Sequence, residues 1–583
     1  MKRWFTRIFM TIGLTVVLLA GVGVVIALLA RDRVPERTVL LIDFEQAAIE
    51  AVPQDTFARL ALSDRIVVRE LVDALDAAAG DDRVKGVIAR IGGGHPMAMT
   101  QEFRQAVQRF RANGKPAIAF AETLGEVGPG NTGYYLAAAF DEIYLQESGD
   151  IGLVGLASHG MFLRGALEKL ELEPRLDHRH EYKNAMNMLT ERAFDAAHRE
   201  AIAAIIDSMF AVMSNEIAAD RGLSPAEFAA LVERGPFLGR EALDAGLIDG
   251  LAYRDEVFAR LETLAGGSFE TLSPRAYLKI EGGPHEKGAG VAMIYGSGGV
   301  QRGQSRFDPL FGDASMGSDT VTRAFRDALE DDDIKAILFR VDSPGGSYVA
   351  SDAIWRMTVQ AREAGKPVVV SMGNVAASGG YFVSMASDRI IAQPGTVTGS
   401  IGVVGGKFLT REFWEENFGI TWDSVQTSAN AGMYVGLHDY TEHGWARHQA
   451  WLDRVYDDFT DKVARGRGMS QAEVHALAKG RVWTGEQALE NGLVDGLGGL
   501  AEAQAAIRES LGLAPDAPLH IRVFPAEQPW YADLIPGGQP RSDELGAALH
   551  ALETLQPLAR LLRQAGLVGT RHALEMPAEV DVR

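Results

Sequence analysis

The stretch "VVVSMGNVAASGGYFVSMASD", residues 368–388, decides the fold. A β-branched run, Val368–Val370, breaks into small residues around Ser378 and then resumes an apolar pattern. Such a pattern reads as a buried strand that ends in a tight turn. Its neighbours alternate in kind: "AILFRV" (336–341) reads as a second buried strand, and "SDAIWRMTVQAREAG" (351–365) has helical periodicity. Strands and helices in alternation predict an α/β domain in which helices cover a sheet.

Working outward, the chain repeats itself. "DDRVKGVIARI" (81–91) matches "DDDIKAILFRV" (331–341), and "GKPAIAF" (114–120) matches "GKPVVVS" (365–371). "GYYLAAAFDEIYLQ" (133–146) matches "GYFVSMASDRIIAQ" (380–393), and "DIGLVG" (150–155) matches "SIGVVG" (400–405). Near the end of each half, "FLGREALDAGLIDGL" (237–251) answers "WTGEQALENGLVDGL" (483–497). Five matches in the same order predict two copies of one domain. The expected division is residues 38–283 and 289–510, joined by the Gly-rich "EGGPHEKGAG" (281–290), with a C-terminal tail over 511–583. Within that tail "SDELGAALHALETLQPLARLLRQAG" (542–566) has the pattern of an amphipathic helix. A chain of 583 residues exceeds what one core holds, which agrees with this division.

Composition narrows the function. Apolar residues make up 47% and charged residues 23%, an ordinary globular balance. The formal charge of −21 opposes broad binding to nucleic acid, whose phosphates would be repelled. With no cysteine, disulfides, thiolate catalysis and Cys-based zinc sites are excluded.

Residues 1–37 read as a membrane anchor. "IFMTIGLTVVLLAGVGVVIALLA", residues 8–30, carries no charge and is long enough to cross about 30 Å of hydrocarbon as a helix. It is also longer than a signal-peptide core, so an uncleaved single span is expected. Charge does not orient it, because Lys2, Arg3 and Arg7 on one side face Arg31, Arg33 and Arg37 on the other.

The two copies differ where chemistry would occur. Aligning Gly133 with Gly380 places Asn131 opposite Ser378, so only the second copy offers a nucleophile. The turn resembles a G-x-S-x-G nucleophile elbow with Ala376 in place of the first glycine. Upstream, "FRVDSPGGS" (339–347) runs from a strand into Pro344, Gly345 and Gly346, where glycines let backbone N–H groups approach a carbonyl oxygen. Each such donor is worth about 3–4 kcal/mol to an oxyanion. The first copy has "ARIGGGH" there.

A serine needs a base. His438 with Asp439, Lys407 in "VVGGKF" and Lys183 in "HEYKNAMN" are the contenders, a desolvated lysine being able to take the serine proton. Lys183 aligns with Ala429. One copy holds this lysine without the serine, the other the serine without this lysine, and a single site assembled across both halves follows.

On "RVDSPGGS", "AASGGY", "TGSIGV", "EYKNAM" and "VWTGEQALENGLVDGLG", the chain resembles the long, tandem-repeat form of signal peptide peptidase A. That family comprises membrane-anchored Ser/Lys proteases related to the Clp protease and crotonase folds, and the likeness runs from the anchor through both repeats. The resemblance implies Ser378 as nucleophile, Lys183 as general base, and Ser400 of "TGSIG" as the residue that positions the lysine amine. It implies the N–H groups of Gly346 and Gly379 as oxyanion donors. It also implies cleavage of remnant signal peptides, a catalytic region on the periplasmic side of a bacterial inner membrane, and a homotetramer. One departure is Asp342 before "SPGG", where the family pattern implies Asn.

Other motifs are weaker. "GSGGVQRGQS" (296–305) approaches a phosphate-binding loop, but Gln304 stands where the lysine would be. "DHRHE" (177–181) looks like a metal cluster, yet reads as a solvated polar segment leading to Lys183. No cofactor or metal is expected. Two rival readings remain at this point: a crotonase-like acyl-CoA enzyme, which predicts a catalytic carboxylate in the turn, and a membrane-tethered, non-catalytic ring that binds peptides.

Overall fold

Each half of the chain builds a parallel sheet with the same strand order. In the first half the neighbours run Gly250–Leu251, Glu142–Leu145, Ala117–Ala121, Val84–Arg90, Thr38–Asp43, Glu270–Leu272. In the second they run Gly496–Leu497, Arg389–Ala392, Val368–Ala377, Ile334–Ser343, Ala289–Ser297, Leu519–Phe524. Every pair named is parallel. The central strands are buried on both faces, which is why they read as continuous apolar runs: Val368–Met372 is buried at every position. The computed structural model describes residues 33–52, 62, 65–308, 313–525 and 574–575. The expected span at 8–30 and the expected helix at 542–566 lie outside them.

The hydrogen bonds repeat along with the strands. Asp141 accepts from the Ala117 amide and Asp388 from the Val368 amide, each at 2.8 Å. A long helix closes each half, Ala196–Arg221 and Glu442–Arg467. Both start on a side-chain cap, Asp195 and Thr441, and both end on a left-handed glycine, Gly222 and Gly468. Ala196–Arg221 is also long and apolar enough to cross a membrane, but Ile205, Met213 and Ile217 on it belong to the core.

The second sheet runs past the boundary expected at residue 510. Leu519–Phe524 pairs with Ala289–Ser297 as Glu270–Leu272 pairs with Thr38–Asp43, so these residues belong to the sheet and not to a tail. Each half also carries an arm, which in the first is the antiparallel pair Asp150–Ile151 with Phe237–Leu238, joined by a single bridge from Ile151 to Leu124, and in the second is part of the sheet itself. Beyond residue 374 the strand Val368–Ala377 pairs with Val397–Gly399, which pairs antiparallel with Val482–Thr484.

The halves are interlocked. Strand Glu173–His178 of the first lies antiparallel to Val404–Leu409 of the second. One continuous core holds Leu71, Phe103 and Tyr134 from the first half with Val369, Ala377 and Val482 from the second.

Candidate active site

Ser378 sits between strand Val368–Ala377 and helix Gly379–Ser384. Its backbone, at φ +54° and ψ −114°, lies in a region that costs a non-glycine residue about 1–3 kcal/mol. Its amide donates to Gly399 O at 2.8 Å and its carbonyl accepts from the Phe382 amide at 2.9 Å, which holds the turn in place. Space dictates the two following glycines. A β-carbon on Gly379 would lie 2.8 Å from Ser351 Oγ and 3.0 Å from Gly346 N, and one on Gly380 would lie 2.5 Å from Ser343 O.

The turn therefore presses the start of the helix against the Gly345–Gly346 segment. Gly345 and Gly346 have φ of +105° and +152°. Behind them runs the short strand Gly299–Gln301, parallel to them. Ser343 Oγ donates to Gly298 O at 2.7 Å and the Ser347 amide to Val300 O at 2.8 Å. The "GSGGV" stretch that looks like a phosphate loop in sequence is the backing of this turn. On the other side, Gly345–Gly346 pairs antiparallel with the chain's own Leu574–Glu575.

Lys183 reaches the serine from the first half. Its backbone is wedged against the second: the Tyr182 amide donates to Lys479 O at 3.1 Å, and a β-carbon on Gly480 would sit 2.5 Å from Lys183 Cα. Lys183 Nζ lies 2.8 Å from Ser378 Oγ and 3.0 Å from both Ser400 Oγ and Ser400 O. Ser400 is itself held at φ +50° by a bond from its amide to Arg481 O at 2.7 Å. Lys183, Ser378 and Ser400 are all 0% exposed.

Of the other sequence candidates, His438 is exposed, and Lys407 and Asp439 are occupied elsewhere. Lys407 Nζ donates to the carbonyls of Met433, Val435 and His438, and Asp439 pairs with Arg175 at 2.9 Å. Asp177 and His178 end the half-buried strand Glu173–His178, so the "DHRHE" stretch is partly sheet and not wholly a solvated segment. Glu181 pairs with Lys479 at 2.8 Å. Among the described residues no three ligating side chains come together for a metal.

One cluster escaped the sequence reading. Arg340, 1% exposed, donates from Nε and Nη2 to the two oxygens of Glu50 at 2.9 and 3.0 Å, from Nη2 to Glu102 at 2.7 Å, and from Nη1 to Ser371 Oγ at 2.8 Å. Burial pushes the Glu50 carboxyl up to about 7; Arg340 opposes the shift and Asp342 adds to it. Burial also raises Asp342, against hydrogen bonds from Val375 and Asn374. Glu50 and Glu102 come from the first half and Arg340 from the second, so no local pattern could have announced the group.

The chain is similar to known proteases. The profile of Peptidase family S49 matches twice, over residues 109–267 and 360–514. Protease 4 of Salmonella typhi is 32% identical over 467 residues, 77% of this chain and 73% of that one. Protease 4 of Haemophilus influenzae is 30% identical over 491 residues, 80% and 76% of the two chains. The chloroplastic serine protease SPPA of Arabidopsis thaliana is 29% identical, covering 75% of this chain and 64% of its own. A solved structure of a ClpP1 mutant from Listeria monocytogenes aligns with 36% of this chain and 93% of its own at 12% identity, with a TM-score of only 0.23. The class these findings define is a serine protease of mixed α/β fold. The chain belongs to peptidase family S49.

Proposed function

We propose that this protease is a Ser/Lys endopeptidase in which Lys183 of the first repeat activates Ser378 of the second. The observation that carries the reading is the 2.8 Å contact between Lys183 Nζ and Ser378 Oγ, made by residues 195 positions apart. Burial disfavours a charged amine, and the neutral amine is the form that can accept a proton. Ser400 holds that amine through its hydroxyl and carbonyl.

The chemistry follows. Neutral Lys183 takes the hydroxyl proton as Ser378 Oγ bonds to the scissile carbonyl carbon, and the oxyanion receives the N–H groups of Gly346 and Gly379. Collapse breaks the C–N bond, and Lys183 passes its proton to the leaving amine. The acyl-serine ester is then attacked by water, which gives its proton to Lys183. A carboxylic acid departs and Ser378 regains its proton.

The substrate class we infer is an extended peptide, remnant signal peptides included. Gly345–Gly346 already accepts one extended segment, Leu574–Glu575, as an antiparallel neighbour, and β-pairing recognises backbone more than side chains. The same reading puts the enzyme at a bacterial inner membrane with the repeats on the periplasmic side, supported by the apolar sequence of residues 8–30 for the anchor and by the family resemblance for the side. The relation to the Clp protease and crotonase folds and the homotetramer belong to the same reading. Phe418, Ile420, Trp422, Val425, Tyr434 and Val435 are exposed along one segment, an apolar surface of the kind that copies of a chain cover in an assembly.

The test is covalent labelling of the full-length protein by a fluorophosphonate, together with peptide hydrolysis. Label and turnover should be lost together in Ser378→Ala and Lys183→Ala while both stay folded. Labelling that persists in Ser378→Ala, or full turnover in Lys183→Ala, would reject the dyad.

A further inference from the structure

The strand that carries Ser378 does not pair evenly with the strand beside it. Val341 lies opposite Met372 and Ser343 opposite Ala376, so Gly373, Asn374 and Val375 bulge out against Asp342 alone. A bulge leaves amides that the neighbouring backbone cannot take. Asp342 Oδ1 takes one, from Val375, at 2.9 Å, and Asn374 bonds to the same carboxyl. Asn374 Oδ1 in turn accepts from the Met99 amide of the first half at 3.0 Å. The bulge thus fixes how far Ala376 and Ser378 extend beyond the SPGG turn, and Asp342 pins the bulge.

Glu50 reaches the same point from the other half. A β-carbon on Gly373 would lie 2.9 Å from Glu50 Oε1 and 3.0 Å from Asp342 Cγ, so the two carboxyls crowd one glycine. The groups facing them are Arg340, Glu102 and Tyr295, with Arg69 and Asp73 beyond Tyr295. Among the described residues Arg340 is the only cation bonded to the group, and it is shared between Glu50 and Glu102. The buried Glu50 and the half-buried Asp342, beside one guanidinium that Glu102 also holds, cannot both ionise at low cost, because neighbouring like charges disfavour one another.

We propose that Asp342 and Glu50 are positioning residues for the protease: sharing a proton, they hold the bulge that seats Ser378 against the oxyanion turn, and full ionisation of the pair releases it. The raised Glu50 and Asp342 carboxyls agree with that charge state. The two titrate as a unit, so the loss follows a macroscopic step of the pair. Once both are charged, mutual repulsion pulls Asp342 from the Val375 amide, and Ser378 loses its register with Gly346.

This inference rests on Ser378 being the nucleophile. The experiment measures the fluorophosphonate labelling rate of the full-length protein between pH 6 and 9 for wild type, Asp342→Asn, Glu50→Gln and Ser378→Ala. Asn at 342 keeps the acceptor for Val375 and removes the charge. Dividing each variant's rate by the wild-type rate at the same pH cancels the titration of Lys183, which all share. The ratio for Asp342→Asn should rise at least fivefold from pH 6 to 9, and Glu50→Gln should rise in the same direction; either folded variant suffices for the decision. A flat ratio, with label confined to Ser378, overturns the carboxyl pair and leaves the dyad standing. Label retained by Ser378→Ala overturns the dyad itself. A purely structural role for Asp342 would change the rates without a slope in pH.

Discussion

The two strand-to-helix connections of this molecule stand at the same place in each half and differ in backbone, Ser378 being held at φ +54° where Asn131 opens its helix, and in what fills them. In the first half the turn carries Asn131, whose side chain donates to Gly155 O at 2.9 Å and accepts from the amides of Val154 and Gly155, both at 3.1 Å. In the second it carries Ser378, which faces Lys183. Thr132 follows Asn131 and packs where a β-carbon on Gly94 would otherwise be, 1.6 Å from its Oγ1, whereas Gly379 leaves the equivalent space open to the Gly346 amide. Arg90 lies on the surface among Asp43, Glu45 and Glu122, while Arg340, its counterpart, is buried between the halves. The difference teaches that one frame can serve as a plugged, fully bonded support or as an open site, according to whether its polar atoms are satisfied within the half or across the junction.

The contrast is broken most completely at the dyad. Ser378→Ala and Lys183→Ala should each lower kcat by about 10⁴ or more, and the double variant should be no worse, since the two act as a unit. Asn131→Ala should leave kcat within about threefold of wild type and lower stability by about 1 kcal/mol in urea unfolding, by removing the hydrogen bonds to the Val154 and Gly155 amides and the Gly155 carbonyl.

The next effect comes from closing the open turn. Gly379→Ala puts a methyl against the Gly346 amide and should reduce kcat by about 10²–10³ with little change in KM, the loss expected for one oxyanion donor. Gly379 needs no special φ, so steric intrusion alone is tested.

A smaller effect separates the two arginine sites. Because the fold raises Glu50 from 4.5 to about 7, the native state binds a proton that the unfolded chain has lost between those values. Stability is therefore fullest below pH 4.5 as far as this group is concerned, and falls as pH rises through 7, by an amount on the order of 3 kcal/mol. Urea titrations at pH 5 and 8 check the direction, and Glu50→Gln should flatten the slope.

The smallest effect reads the strain at Ser378. Ser378→Gly and Ser378→Ala both lose the hydroxyl, but only glycine relieves φ +54°. The glycine variant should be more stable by about 1 kcal/mol in chemical denaturation, strain relief exceeding the entropic cost of glycine.

What could be read in the sequence was whatever the duplication exposes. Asn131 opposite Ser378, and Lys183 without a lysine partner in the other copy, are visible by aligning the chain with itself. Glu50 was invisible because its meaning depends on Arg340, far along the chain and in the other half. Lys407 is a contender by residue type alone, and tertiary structure shows what each amine faces: three carbonyls for Lys407, Ser378 and Ser400 for Lys183. Strand Leu519–Phe524 was assigned to the tail because it lies beyond the last strong match between copies, and "GSGGV" looked like a phosphate loop because close backbone packing needs the same glycines.

The wedge of Lys183 against Gly480 bears on inheritance. A duplicated domain ordinarily supplies a spare, so that damage to one copy is masked by the other. Here each copy carries a part that its twin lacks, and a glycine in one has become the room for a lysine in the other. On the proposed dyad, selection sees the joined pair as a single gene with no redundancy, and neither half can be shed without taking the enzyme with it.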